Sequence, residues 1–420
     1  MKRRCAVILT SMPKAHSKAD KRGKAKTRGL GTRCVHAGEE RHGRAASLTT
    51  DIARTAVFAL PNVDYLRGIT KRDSGDYYYT RNGNPTTAVA EEKIAALEGG
   101  AGCVVTASGM SAILSAALAT CQAGDEIVSM QDVYGGTIKL FGDVLGKLGI
   151  ETAWVPFAGT TDLRKYCSKK TKLVFVETPT NPTLRCVDLK AAAKAAHSVG
   201  ALLMVDNTFA TPVLQRPLES GADIVMHSAT KFLGGHSDIS AGAVVAKDAQ
   251  LVAKMRDASV STGGTLDPEA SYLLIRGLKT LEVRVERASK NAEEIANYLS
   301  RHKKVSRVFY PGLPQSEGYK IARQQMSAFG MMLSLDMKGD VKGVGKAAES
   351  FINSLKLWYL ATSLGGVEST VSYPVLSSHV NCSAKQLKEL EISDATVRLS
   401  VGIESCDDLI ADLEQALGKA

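Results

Sequence analysis

Long apolar runs are missing from this sequence of 420 residues. A membrane-spanning helix needs about 18 or more apolar residues in succession, so we expect no transmembrane segment and no membrane partner. Cys-x-x-Cys pairs are also missing, although the chain has eight cysteines. Because that spacing is typical of zinc sites and redox motifs, we predict no metal site and no disulfide framework. Free thiols then indicate a reducing compartment, the cytoplasm.

Acidic residues are scarce at the N-terminus. Residues 1–30 contain ten Lys or Arg and a single acid, Asp20, so they hold nine of the ten net positive charges. They also contain few large apolar residues, which predicts a disordered basic tail. Since the remaining chain is nearly neutral, we interpret the tail as a solvated extension and expect no nucleic-acid partner. A transit peptide is the alternative, although the charge is mostly Lys rather than Arg.

The rest of the chain divides into an arm and two domains, because 420 residues exceed one compact core. Residues 31–76 are rich in turn residues and are interpreted as an N-terminal arm. Residues 77–275 alternate short apolar runs with helical patterns. Residues 276–420 begin with a predicted long amphipathic helix over Leu278–Leu299 and continue as a smaller α+β unit.

Five apolar runs within residues 77–275 predict strands, and the helical patterns between them indicate βαβ units and a mainly parallel sheet. The runs are Cys103–Thr106, Glu126–Val128, Leu173–Val176, Leu202–Val205 and Ile224–Met226. The predicted fold class is therefore α/β. Ligands of such sheets bind beyond the carboxyl ends of the strands, and a polar loop follows every run.

Lys231 follows the fifth run. A lysine at the end of a buried strand is unfavourable unless it pairs, loses its charge or becomes covalent, and a desolvated lysine can form a Schiff base. Its neighbours suit a phosphorylated aldehyde: Ser228 and Thr230 offer hydroxyl groups. Gly109 and Met110 offer backbone N–H groups where a helix begins, which favours an anion.

Two further residues fit the same ligand. Asp206 ends a strand 25 residues before Lys231 and can pair with a protonated ring nitrogen, while Tyr134 follows another strand and can stack on a ring. Each feature alone is common, since an aspartate after a strand is often an N-cap or a turn residue. At one edge of one sheet they together predict a pyridoxal phosphate site, in which the protein tunes the cofactor as an electron sink.

Eleven motifs then run in one order from residue 33 to the end of the chain. They are RCVHAGEE (33–40), YYTRNGNPT (78–86), ASGMSA (107–112), DVYGGT (132–137), ETPTNPT (177–183), VDNTFATP (205–212), HSATKFLGGHSD (227–238), RGLKTL (276–281), YPGLP (310–314), SLGGVES (363–369) and VRLSVG (397–402). In this order they resemble the trans-sulfuration family of pyridoxal-phosphate enzymes. The resemblance implies a fold-type I enzyme with a mainly parallel, seven-stranded-type cofactor-binding domain at 77–275 and a smaller α+β C-terminal domain.

The resemblance also implies roles for the cofactor site. Lys231 is the Schiff-base lysine and proton shuttle, Asp206 pairs with the pyridine nitrogen, and Tyr134 stacks on the ring and helps to move protons. The phosphate is then held by Gly109, Met110, Ser228 and Thr230.

Substrate and subunit contacts are implied in the same way. Arg398 clamps the substrate carboxylate, a task that suits its bidentate guanidinium, with Asn181 and Ser363 assisting it. Tyr79 and Arg81 reach the phosphate of the neighbouring subunit, as expected for a homotetramer built as a dimer of dimers.

The reaction type is predicted from finer differences. We expect γ-elimination or γ-replacement on cystathionine or a related sulfur amino acid, with cystathionine β-lyase or O-acyl-homoserine sulfhydrylase as alternatives. Methionine γ-lyases carry a cysteine where this chain has Gly136, which argues against that activity. Thr362 stands where γ-lyases and γ-synthases usually have an acid, and Tyr78 stands where they often have one. Aromatic residues there are typical of bacterial β-lyases, so Tyr78 supports that alternative. SLGGVES and the C-terminal DLEQALGKA favour the γ branch.

Overall fold

A computed structural model describes residues 28–39, 46–70, 76–339, 344–380 and 382–420. Residues 1–27 of the predicted basic tail lie outside the described residues. No helix in the described part is long and apolar enough to cross a membrane. All seven cysteines within the described ranges are free.

Twelve strands in the described residues form two sheets. The large sheet contains β1 (Gly102–Thr106), β2 (Glu126–Met130), β3 (Glu151–Val155), β4 (Thr171–Glu177), β5 (Leu202–Asp206), β6 (Ile224–His227) and β7 (Gly242–Ala246). The second sheet contains β8 (Val305–Phe309), β9 (Met332–Met337), β10 (Tyr359–Leu360), β11 (Thr370–Ser372) and β12 (Thr396–Ser400).

Fourteen α-helices accompany these strands in the same ranges. They are α1 (Leu30–His36), α2 (Val63–Thr70), α3 (Pro85–Glu98), α4 (Gly109–Thr120), α5 (Gly135–Lys139), α6 (Leu189–His197), α7 (Thr211–Leu214), α8 (Ala249–Thr262), α9 (Pro268–Lys279), α10 (Leu281–Leu299), α11 (Tyr319–Gln325), α12 (Val344–Ser354), α13 (Ala384–Glu389) and α14 (Cys406–Leu417).

The large sheet has the strand order β1-β7-β6-β5-β4-β2-β3, and β7 is its one antiparallel strand. This confirms the predicted α/β class and the mainly parallel, seven-stranded sheet. The five predicted runs correspond to β1, β2, β4, β5 and β6. Because these five strands run in one direction, the loops that follow them meet at one edge of the sheet. That edge faces residues of the second sheet.

The second sheet has the order β10-β11-β12-β9-β8, with β12 between β11 and β9. All five residues of β12 are buried. A side chain on this central strand is therefore held by neighbours on both sides, which matters for Arg398 below.

The predicted single helix over Leu278–Leu299 is wrong at its start. Helix α9 ends at Lys279, α10 begins at Leu281, and Thr280 between them has φ −110° and ψ 11°. The side chain of Arg284 binds at this break, donating to the carbonyl of Gly277 at 2.7 Å and to that of Phe232 at 2.8 Å. Both helices bury apolar faces, so the hydrophobic period continues across the break.

The described part of the arm contains α1 and α2, which its turn-rich composition did not predict. Lys93 of α3 is fully buried and fixes the arm, because its Nζ donates to the carbonyls of Cys34 and Val35, each at 3.1 Å. Glu39 supplies the counter-charge at 3.2 Å. The arm is thus attached to the large domain through a buried, hydrogen-bonded ammonium group.

Candidate active site

A cavity of about 600 Å³ lies at the carboxyl edge of the large sheet, between this edge and the second sheet. That volume is typical of small-molecule sites. Ten of the twelve predicted site residues line the cavity: Gly109, Met110, Tyr134, Asn181, Asp206, Ser228, Thr230, Lys231, Ser363 and Arg398. Tyr79 and Arg81 do not.

Lys231 lines this cavity, four residues beyond the end of β6. Its Nζ donates to Ser363 Oγ at 2.5 Å. Burial and, next, the positive charge of Arg398 lower the pKa of Lys231 to about 8, against the opposing effect of Asp206. The amine therefore has a larger neutral fraction near neutral pH than an ordinary lysine, and a neutral amine is nucleophilic.

Asp206 is the last residue of β5 and is 8% exposed. Its Oδ1 accepts a hydrogen bond from the N–H of Thr208 at 2.9 Å. Burial raises the pKa of Asp206, while Thr208, His227 and Lys231 oppose the shift. A buried carboxylate with incomplete charge compensation favours a cationic or N–H-bearing ligand group beside it.

The start of α4 forms another side of the cavity. Ser108 caps this helix, since its Oγ accepts the N–H of Ser111 at 3.2 Å. The N–H groups of Gly109 and Met110 have no partner within the helix because they belong to its first turn. A Cβ at position 109 would come within 2.9 Å of the Cβ of Ser228, so glycine permits this close approach to the end of β6.

The two hydroxyl groups predicted for the phosphate differ in their surroundings. Ser228 lines the cavity. Thr230 also lines it, but its Oγ1 donates to the carbonyl of Ala241 at 3.1 Å and accepts the N–H of Ala241 at 2.9 Å. Thr230 must therefore rotate its hydroxyl proton away from Ala241 in order to donate to a phosphate.

Arg398 lies on β12 and is 5% exposed. Its Nη1 donates to Asn181 Oδ1 at 2.8 Å and its Nη2 to the carbonyl of Ser363 at 2.9 Å. Burial lowers its pKa to about 10, which Glu177 opposes. Its Nε is buried and has no hydrogen-bond partner among the described residues. The three residues predicted to act on a carboxylate are thus in direct contact, and N–H donors of the guanidinium, including the unpaired Nε, are left for a ligand.

Tyr134 precedes α5 and is half-exposed at the cavity wall. Its backbone N–H donates to Glu177 Oε2 at 2.9 Å. This bond fixes the backbone of Tyr134 at the cavity wall.

Tyr79 and Arg81 lie at a different surface. The Arg81 guanidinium carbon is 5.4 Å from the centre of the Tyr79 ring, and its Nη1 donates to the carbonyl of Val260 at 3.1 Å. Tyr79 is 37% exposed. Both residues line an open groove with Thr265 and Asp267 rather than the cavity that contains Lys231.

Several cavity residues were not predicted, among them Glu177, Thr208 and Ser240. Glu177 ends β4 and begins the motif ETPTNPT, so its position at a strand end was a signal that sequence reasoning did not use. Ser240 and residues 376–378 follow no parallel strand, and only the folded chain brings them to the cavity. No cluster of three or more His, Cys, Asp or Glu placed to hold a metal ion occurs within the described ranges.

Comparison with known families decides the classification of this site. Residues 31–418 match the family described as Cys/Met metabolism PLP-dependent enzyme. The chain belongs to this family. Membership confirms the predicted trans-sulfuration-type resemblance, the enzyme class and pyridoxal 5'-phosphate as the cofactor.

Relatives of the Cys/Met metabolism family with several activities are similar to the chain. An L-methionine gamma-lyase from Fusobacterium nucleatum is 42% identical over 94% of this chain and 99% of its own. A cystathionine beta-lyase from Lactococcus lactis is 44% identical over 82% of this chain and 89% of its own. The crystal structure of cystathionine gamma-lyase from Lactobacillus plantarum, complexed with L-serine, has a TM-score of 0.86 and is 36% identical, covering 93% of this chain and 99% of that chain.

The cavity of this Cys/Met metabolism enzyme fits the cofactor that its family implies. The aldehyde would meet the amine of Lys231, whose pKa is lowered to about 8. A protonated ring nitrogen would supply the positive charge that the buried carboxylate of Asp206 lacks beside it. The phosphate would meet the open first turn of α4, where the N–H groups of Gly109 and Met110 are available.

The lowered pKa predicts the pH at which Lys231 reacts. When pyridoxal phosphate is added to cofactor-free enzyme, it should form a Schiff base with Lys231 that borohydride can reduce. The rate of Schiff-base formation is expected to rise as the pH increases through about 8. The rate rises with pH because only the neutral amine attacks the aldehyde, and below this pKa most of the amine is protonated. Stopped-flow absorbance over a pH series measures the midpoint. A midpoint near the ordinary lysine value of 10.5 would contradict the assignment.

Proposed function

We propose that the protein is a trans-sulfuration enzyme that acts on L-cystathionine or a related sulfur amino acid by γ-elimination or γ-replacement. The observation that carries the proposal is the shared contact at Ser363. Its hydroxyl accepts from Lys231 Nζ, and its carbonyl accepts from Arg398 Nη2. Ser363 thus holds a reactive amine next to a guanidinium that can bind a carboxylate. This arrangement suits an α-amino acid substrate that reacts at Cα.

Each residue then has a distinct task. Bound pyridoxal phosphate supplies an electron sink for charge that develops at the substrate Cα. Lys231 Nζ removes the α-proton and can return it, because its pKa lies near the working pH. Asp206 keeps the ring nitrogen protonated through its buried carboxylate, while Tyr134 covers the ring and helps to move protons.

Binding tasks fall to the surrounding groups. Arg398 orients the substrate carboxylate, with Asn181 and Ser363 fixing the plane of its guanidinium. The phosphate is held by Gly109, Met110, Ser228 and Thr230. This division leaves the outer part of the cavity, which includes Thr362, for the sulfur-bearing part of the substrate.

One residue of the cavity supports alternatives to the γ reaction. Thr362 lines the cavity as an uncharged residue where an acid would attract a distal ammonium group. Cystathionine β-lyase and O-acyl-homoserine sulfhydrylase are therefore the second candidates. The motif SLGGVES around the shared Ser363 supports the γ branch.

Product analysis with L-cystathionine tests the proposal. Purified holoenzyme is expected to release cysteine and 2-oxobutanoate, measured by separating the thiols and the keto acids. Homocysteine with pyruvate would move the enzyme to the β-lyase alternative. If neither pair forms, an activated homoserine ester with cysteine or sulfide tests replacement, and absence of all products would contradict the proposed substrate class.

We also propose a homotetramer in which Tyr79 and Arg81 complete the phosphate site of a neighbouring subunit. Their exposure and their distance from the cavity of their own chain support this arrangement. Light scattering is expected to give the mass of four chains. An active monomer would contradict the proposal.

The predicted compartment and domain boundaries remain proposals as well. The free state of the seven described cysteines supports the cytoplasm, and a disulfide in the native protein would argue against it. The arm at 31–76, the cofactor-binding domain at 77–275 and the C-terminal domain at 276–420 are supported by the grouping of the strands, since β1 to β7 and β8 to β12 fall on either side of residue 275. Limited proteolysis that cuts first within a sheet would contradict these boundaries.

A further inference from the structure

Glu177 is a buried acid in the cavity that has no task in the reaction described above. It is 5% exposed and ends β4, directly opposite Asp206 at the end of β5 in the register of the parallel pair. Neighbouring strands lie about 4.8 Å apart. Two carboxyl groups therefore extend side by side from one edge of the sheet into the same cavity.

Glu177 contacts separate parts of the site. Its Oε2 accepts the backbone N–H of Tyr134 at 2.9 Å, and the backbone N–H of Asn181 favours the charged form of its carboxyl group and so lowers its pKa. Tyr134 carries the ring at the cavity wall, and Asn181 holds the guanidinium of Arg398. One side chain thus fixes the backbone of Tyr134 and lies near the residue that binds Arg398.

The charges around Glu177 indicate its protonation state. Asp206 faces it from β5, Asp132 from the loop after β2, and Arg398 from β12. Asp132 forms a buried ion pair with Arg185, and Arg398 already donates to Asn181 and Ser363. Burial, together with Asp206, raises the pKa of Glu177 well above its ordinary value.

Two adjacent buried carboxyl groups do not both ionise readily, because like charges repel strongly where water is excluded. Asp206 is the better place for the negative charge, since Thr208 donates to it and Lys231 lies nearby. Glu177 then holds the proton and remains a hydrogen-bonding group without charge.

We propose that Glu177 is a positioning residue whose neutral carboxyl group fixes the backbone of Tyr134 and leaves the negative charge of the strand edge on Asp206. The inference rests on the cofactor arrangement of the proposed function, because Tyr134 and Asp206 act on the cofactor ring there. It does not depend on which sulfur amino acid is the substrate.

A pair of variants of similar size separates hydrogen bonding from charge. In Glu177→Gln the side chain stays neutral and its oxygen still accepts the N–H of Tyr134, so we expect the Kd for pyridoxal phosphate and kcat to change by about threefold at most. In Glu177→Met the acceptor is lost and the backbone N–H of Tyr134 loses its partner. We expect its cofactor Kd to rise, and kcat to fall more than KM changes, by about 10-fold to 100-fold. Glu151→Gln, at an exposed position on β3, is the matched control.

The readouts are cofactor Kd by absorbance titration, the pH titration of the visible band and the kcat and KM of each holoenzyme. An equal loss in Glu177→Gln and Glu177→Met would overturn the proposal, because the charge of Glu177 would then be required. Wild-type values in Glu177→Met would overturn it as well. If the Met variant does not fold, Glu177→Gln alone decides. Because cofactor affinity is measured without substrate, a wild-type enzyme that does not cleave cystathionine would contradict the proposed reaction and not this inference.

Discussion

Replacing Lys231 with alanine is expected to lower kcat for the sulfur amino acid substrate by about 10⁴-fold. General acid–base catalysis by a positioned side chain contributes about 10² to 10⁴ in rate, and this amine also holds the cofactor. Its lowered pKa of about 8 and its contact with Ser363 Oγ prepare it for both tasks. Release of thiol and keto acid measures the loss.

Borohydride provides an independent readout for the same variant. Reduction of the wild-type holoenzyme is expected to fix the cofactor on the peptide that contains Lys231, and reduction of Lys231→Ala is expected to leave the chain unlabelled. Lys254→Ala, an exposed lysine of α8, is the control and should behave as wild type. A Lys231→Ala enzyme that keeps a tenth of its activity, or a label on another lysine, would show that the assignment is wrong.

Arg398→Lys is expected to lower kcat/KM by about 100-fold, mainly through a higher KM. Lysine keeps the charge but lacks the planar fork that binds a carboxylate through two parallel hydrogen bonds. It would also leave Asn181 Oδ1 or the carbonyl of Ser363 without a donor in a buried position. Truncation of one partner of a buried charged hydrogen bond costs about 2–5 kcal/mol, and 100-fold corresponds to the lower part of that range.

Steady-state kinetics with the best substrate measures this effect, and Arg276→Lys, on an exposed position of α9, is the matched control. A loss confined to kcat would argue that Arg398 acts on the reacting atoms rather than on the carboxylate. Unchanged kinetics would remove Arg398 from the substrate site.

The sequence predicted the part of the fold that depends on continuous apolar runs. Strands β4 and β5 are buried almost throughout, and their apolar runs predicted them as strands. Strand β3 lies at the edge of the sheet and buries only Val155 completely, so its composition is mixed. Strand β7 consists of Gly, Ala and Val residues, which are also common outside strands, so its sequence did not predict a strand. Thr280 shows the limit of periodicity, because side-chain bonds from Arg284 stabilise a break that the apolar pattern does not show.

The candidate site was predictable where a chemical group follows a parallel strand. Lys231 and Asp206 satisfy this rule, and both line the cavity. The rule also applied to Glu177, but a second carboxylate has no obvious partner in a sequence, and its meaning depends on the register that puts it beside Asp206. Ser363 was found only through the family resemblance, since its contact with Lys231 spans 132 residues of chain.

The position of Arg398 on the central strand of the second sheet has a consequence for regulation and engineering. If Arg398 holds the substrate carboxylate and Lys231 removes the α-proton as proposed, the substrate bridges β12 and the loop that follows β6, and so joins the two sheets. We therefore expect substitutions where the sheets meet, remote from every group that touches the substrate, to alter specificity by shifting one sheet against the other.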